Sequence, residues 1–117
     1  MDPRSAFGRL GEDLAAALYE GDGYEVLERN FTCPEGEIDL IARRNDIVVF
    51  CEVKARRTNY FGDPAEAVTP AKQARLRRLA AIWLSHHRRE ARRLRFDVVS
   101  IVGDGRGSRV RRLENAF

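Results

Sequence analysis

The sequence predicts an α/β fold, a mixed central β-sheet flanked by helices in the order α-β-β-β-α-β-β. Three observations carry this prediction. Residues 6–20 and 70–86 place apolar side chains at helical spacing. Between them lie three strand-like runs, separated by the turn formers Cys33-Pro34-Glu35-Gly36 and Asn45-Asp46. A strand–helix–strand passage over residues 47–102 then calls for a right-handed crossover, which makes its two strands parallel and the sheet mixed.

Each element has its own reason. In the first helix Phe7, Leu10, Leu14, Ala17 and Leu18 form an apolar stripe, Ser5 stands where a cap belongs, and Gly21-Asp22-Gly23 ends the run. Residues 24–31, 37–43 and 47–56 are the first three strands. Thr69 caps the second helix and Pro70 occupies its first turn, where a missing N–H costs nothing. Ala74, Leu76, Leu79, Ala80, Ile82, Trp83 and Leu84 give that helix a broad buried face. Residues 96–102 form a fourth strand, 103–108 a glycine-rich turn, and 109–114 an edge strand.

At 117 residues, with no repeat or linker, the chain reads as a single domain spanning residues 1–117. A chain of this length buries roughly two-thirds of its unfolded surface, enough to fold without staples. Cys33 and Cys51 are its two cysteines, and Cys51 lies in an apolar strand pattern that suits a buried free thiol. With no secretory leader or long apolar run in the sequence, the expected home is a reducing cytoplasm, away from membranes. Charge is lopsided: residues 1–60 carry 8 basic and 12 acidic groups, residues 61–117 carry 13 and 6. An acidic pocket beside a basic docking surface has this signature, as does an arginine-rich solvated helix face.

The most informative residues are Asp39, Glu52 and Lys54. Of 21 basic residues only Lys54 and Lys72 are lysines. A lysine in so arginine-biased a chain points to a need for a compact charge. On the third strand Val49, Cys51 and Val53 face one way, while Val48, Phe50, Glu52 and Lys54 face the other. A strand apolar on both faces sits inside a sheet, so Glu52 and Lys54 belong at a partly buried rim. A two-residue Asn45-Asp46 hairpin then pairs Arg44 with Ile47, Asp39 with Glu52 and Glu37 with Lys54.

Opposed carboxylates repel unless a cation lies between them or one stays protonated. Oxygen-only donors at an open site suit Mg²⁺ or Mn²⁺. Asp39 and Glu52 are therefore the leading metal candidates. Glu12 is the third, because Gly8, Gly11 and Ala15 around it allow close approach to the sheet. Lys54 suits a role in orienting water or steadying charge on a phosphate, with general-base action left open. Glu37 fits either a salt bridge to Lys54 or catalysis. Lys72, Arg75 and Arg56 are the candidate nucleic-acid contacts, Lys72 and Arg75 because they lie in the first turns of the second helix.

Together Gly11-Glu12, Gly36-Glu37-Ile38-Asp39-Leu40-Ile41, the run Val49-Phe50-Cys51-Glu52-Val53-Lys54-Ala55-Arg56, Phe61-Gly62 and Arg95-Phe96-Asp97 resemble the YraN-like family of small bacterial proteins. The likeness spans nearly the whole chain. It implies a restriction-endonuclease-like, PD-(D/E)XK fold and an endonuclease related to archaeal Holliday-junction resolvases. Within that pattern Asp39 matches the first acid, Glu52 and Lys54 the acid–lysine pair, and Glu12 the first-helix acid. Ile38 stands where a proline is common, and Cys51 where a small apolar residue is expected. The implied activity is Mg²⁺- or Mn²⁺-dependent hydrolysis of structured or branched DNA, with a homodimer for two-strand cutting. A non-catalytic nucleic-acid-binding or adaptor module on the same fold is the alternative, and an RNA-directed nuclease a third reading.

Other features have simpler explanations. His86 and His87 are adjacent on a helix and point about 100° apart, which suits a helix terminus better than a metal pair. Asp97 is expected to pair with an arginine. Tyr24, Tyr60 and Trp83 lack the spacing of a base-stacking platform. Arg109, Arg111 and Arg112 fit either phosphate contact or a charged, aggregation-resistant edge.

Overall fold

The computed structural model describes residues 6–56, 68–87, 93–103 and 107–117. Ser5, Tyr60, the 61–64 segment, Arg88, Arg89, Arg92 and the middle of the 103–108 turn lie outside the described residues. The elements are α1 (Ala6–Gly21), β1 (Glu25–Cys33), β2 (Gly36–Arg44), β3 (Ile47–Arg56), α2 (Pro70–Ser85), β4 (Arg93–Gly103) and β5 (Ser108–Leu113). The predicted order holds. The five strands form one sheet in the order β1-β2-β3-β4-β5. Only β3 and β4 are parallel, as the crossover through α2 requires.

The two helices cover opposite faces. Ile38, Ile41, Val48, Phe50, Phe96 and Val98 pack with Leu76, Leu79, Ala80 and Trp83 of α2. Leu40, Ala42, Val49, Cys51, Val99 and Ile101 pack with Ala15, Ala16 and Tyr19 of α1. α2 begins as predicted: the Thr69 hydroxyl accepts from the Lys72 N–H and Pro70 opens the first turn.

For α1 the expected face is wrong. Leu10 is 48 % exposed, whereas Ala15 and Tyr19 are fully buried. Ala17 is exposed and Leu14 and Leu18 lie only at the margin. Close approach explains the rotation. A β-carbon on Gly11 would lie 2.8 Å from the Ala55 β-carbon, so α1 meets β3 along its smallest side chains. That same face carries Glu12, which is 8 % exposed.

Asp97 is the hub of a structural network. Its carboxylate is fully buried. It accepts from Tyr19 Oη at 2.6 Å, from Arg95 Nε at 2.9 Å and from the Asn115 N–H at 3.0 Å. Arg95 also donates to Tyr24 Oη at 2.9 Å. The helix-end histidines are likewise structural: His86 caps α2, and His87 stacks on Trp83 while Nδ1–H donates to the Trp83 carbonyl at 2.8 Å. Trp83 Nε1 in turn donates to Glu28 Oε1 at 2.9 Å.

Candidate metal and phosphodiester site

The β2–β3 hairpin places the acids. Asn45 adopts φ +56 and forms the two-residue turn with Asp46, pairing Arg44 with Ile47. The predicted register runs through Ala42 with Val49 to Leu40 with Cys51, and there the pairing ends. The expected Asp39–Glu52 and Glu37–Lys54 pairs are not formed. Instead the Asp39 carboxylate crosses to β3, where Oδ2 accepts from the Val53 N–H at 2.8 Å. Side chain has replaced main chain at the end of the ladder. A break in alternation accompanies it: Ile38 and Leu40, two residues apart, join opposite cores.

This distortion decides which acids meet. Glu12 from α1 and Glu37 and Asp39 from β2 each present an oxygen within 4.8 Å of the others. Glu37, ambiguous in the sequence, thus belongs with the acids. Glu52 stands outside that triplet, and its Oε1 lies 3.2 Å from Lys54 Nζ. It remains close enough to act on Asp39. Burial pushes the Asp39 carboxyl from its ordinary 3.8 up to about 7, Glu52 adds to the rise, and the Val53 N–H opposes it. Glu12 and Glu37 push in the same direction as Glu52. A buried acid among like charges is a place where a cation relieves strain.

Glu37, Asp39 and Glu52 line a pocket of about 450 Å³ whose other wall is Lys72, Arg75, Leu76 and Leu79 of α2. Gly36 makes room for that wall. A β-carbon there would lie 3.3 Å from Arg75 Cδ and 3.4 Å from Leu79 Cδ1, and the backbone at φ +144 favours glycine. The two lysines of the chain are neighbours, although Lys72 lines this pocket and Lys54 is not among its lining residues. Lys72 is held below the ordinary lysine range, chiefly by its hydrogen bond with Lys54 and by the charge of that lysine. Arg56, at the end of β3, is half-buried and is not among the residues lining the pocket.

Among the described residues, several arginines outside the pocket are held in ion pairs. Arg112 contacts Asp22 and Glu114, Arg29 contacts Asp13, Arg93 contacts Asp46, and Arg95 contacts Asp97. Sequence reasoning missed Asn30, which has φ +55 inside β1. The available signal was a left-hand-tolerant residue in the middle of a strand run.

The residues fit a hard divalent cation. Glu12, Glu37 and Asp39 offer only oxygen donors, gathered closely enough to share one ion, with Glu52 beside them. A five-stranded mixed sheet with a helix on each face, its acids drawn from α1, β2 and β3, is the restriction-endonuclease-like α/β fold expected from the sequence.

Comparison with known proteins agrees with the family resemblance. The chain belongs to the family described as uncharacterised protein family UPF0102, whose family model matches residues 11–101. A UPF0102 protein of Beutenbergia cavernae is 51 % identical over 102 residues, covering 87 % of this chain and 86 % of the relative. One from Streptomyces griseus is 50 % identical over 111 residues, covering 94 % and 93 %. One from Frankia casuarinae is 44 % identical over 118 residues and covers all of both chains.

Proposed function

We propose that this protein is a divalent-metal-dependent nuclease that hydrolyses phosphodiester bonds in structured or branched DNA. One observation carries the reading: Glu12, Glu37 and Asp39 converge within 4.8 Å, and Glu37 and Asp39 line a pocket whose facing wall carries Lys72 and Arg75. Acids alone occur on many surfaces. Acids opposed by cations across a pocket suit a ligand that carries both a metal and a phosphate.

Glu12, Glu37 and Asp39 would hold Mg²⁺ or Mn²⁺, with Glu52 as a further oxygen donor. When bound, such an ion neutralises the acids, polarises a phosphate oxygen and makes bound water more acidic. The protein's own groups do the rest. Lys72 and Arg75, one helical turn apart on α2, bind phosphate oxygens and set the backbone across the pocket. Lys54, held 3.2 Å from Glu52 Oε1, orients the attacking water and donates to the phosphate as negative charge grows there. The Val53 N–H holds the Asp39 carboxylate in one orientation. Two such sites in a homodimer would cut both strands of a branched substrate.

The test is a cleavage panel of four-way junction, flap, linear duplex and single-stranded RNA with Mg²⁺ or Mn²⁺. Wild type is compared with Asp39→Asn and Lys54→Ala. Metal-dependent cutting of branched DNA by wild type, lost in both variants, is expected. Binding without cleavage would make the protein an adaptor, and preferential RNA cutting would change the substrate class.

A further inference from the structure

We infer that Asn30 is the positioning residue that opens the sheet at Asp39. The inference deepens the proposed site, because the catalytic meaning of this opening rests on Asp39 being a ligand. Among the described residues, Asn30, Asn45 and Asn115 are the non-glycine residues with positive φ. Asn45 and Asn115 lie in turns, where such a backbone is routine. Asn30 lies inside β1 at φ +55. A left-handed residue cannot keep its main-chain groups in a regular ladder.

The position of the break is informative. β1 carries a bulge between Val26 and Glu28, beyond which its register with β2 is constant from Glu28–Ile41 to Cys33–Gly36; within that stretch the Asn30–Asp39 pair alone is missing. Released there, the Asn30 carbonyl accepts from Thr32 Oγ1 at 3.0 Å. On the far side of β2 the consequence appears. The Leu40–Cys51 register, continued, would set Val53 opposite Ile38, yet the Val53 N–H takes Asp39 Oδ2 at 2.8 Å. Ile38 and Leu40 turn to opposite cores across the same residue. One left-handed residue in β1 therefore explains the rotation of β2 that swings Asp39 toward β3, with Glu12 and Glu37 as neighbours.

The side chain of Asn30 contributes little to stability. Its Oδ1 is buried and has no hydrogen-bond partner. Asparagine stands here for its backbone, as the β-carbon-bearing residue that best tolerates the left-handed region.

The test compares Asn30→Gly with Asn30→Val in metal-free protein, by amide exchange of Val53 against Val49 and Cys51. Glycine keeps the left-handed backbone and valine opposes it. The valine variant is expected to speed Val53 exchange by about tenfold relative to the reference amides, the left-handed penalty of a β-carbon read as an equilibrium. Mn²⁺ affinity should fall in parallel, while glycine leaves both near wild type. If the valine variant does not fold, Asn30→Ala supplies the same comparison. Unchanged Val53 exchange in the valine or alanine variant would overturn the inference. So would a glycine variant that loses Mn²⁺ binding with Val53 still protected, since the amide oxygen would then be the working group. A wild type that binds no Mn²⁺ would refute the metal reading alone, and the exchange comparison would still decide the role of Asn30.

Discussion

Replacing Asp39 by Asn turns a buried, crowded carboxylate into a neutral amide of nearly the same shape. The metal-free protein should become more stable at alkaline pH, although the site is destroyed. The carboxyl lies at about 7 against an ordinary 3.8. Ionising it in the folded state therefore costs roughly 4 kcal/mol more than in the unfolded chain, as an upper bound. Partial solvent contact reduces the expected gain to about 2–4 kcal/mol. The amide of the variant would retain an oxygen for the Val53 N–H, so little is lost in exchange. The sign follows from a raised carboxylate: its contribution to stability is full below 3.8 and disappears as pH rises through about 7. Urea unfolding in chelator, at pH 4 and pH 8, measures this directly. Wild type and variant should be close at pH 4, with the variant ahead at pH 8. Added Mg²⁺ should then stabilise wild type and not the variant. A variant less stable than wild type at pH 8 would refute the picture of a strained, cation-seeking acid.

Three further outcomes are expected. Gly11→Val should cost about 1–3 kcal/mol in thermal or urea unfolding, because its β-carbon would meet that of Ala55 at 2.8 Å; an unchanged midpoint would contradict the packing of α1 on β3. Asp97→Asn removes the buried charge partner of the Arg95 guanidinium, whose side chain is 14 % exposed, and leaves it only the half-exposed Glu114 carboxylate at 3.7 Å. A loss of about 3–5 kcal/mol is expected, with Mn²⁺ affinity of the folded protein unchanged. Lys72→Ala and Arg75→Ala should each lower the slope of log affinity against log salt for DNA by about one, read by fluorescence anisotropy; an unchanged slope would remove them from the phosphate contacts.

The parts of the molecule visible in the sequence are those set by local chemistry. Thr69 and Pro70 start α2 because capping is a short-range hydrogen bond. Asn45 and Asp46 set the β2–β3 register because two residues fix a hairpin. What escaped was decided by a neighbouring strand or by close packing. In α1 the leucine stripe outweighed the small residues on paper, yet Gly11 and Ala15 set the distance of closest approach and so the buried face. The Asp39–Glu52 pairing failed because Asn30, on a different strand, interrupts the alternation that parity arguments assume. For the same reason Glu37 joined the acids instead of facing Lys54. The apparent division into acidic and basic halves also softened in three dimensions, since Arg112 and Arg93 fold back onto Asp22 and Asp46.

If the acid cluster and the lysine beside it cut a phosphodiester, Lys54 must act in the bond-breaking step itself. Single-turnover cleavage of a four-way DNA junction in Mg²⁺, by wild type and by Lys54→Ala at saturating protein, isolates that step. Cleavage by wild type that chelator abolishes is expected, with a loss of about 10²–10³-fold in the variant and junction affinity retained. Equal rates for the two proteins, or no metal-dependent cleavage by a wild type that binds the junction, would contradict the proposed chemistry.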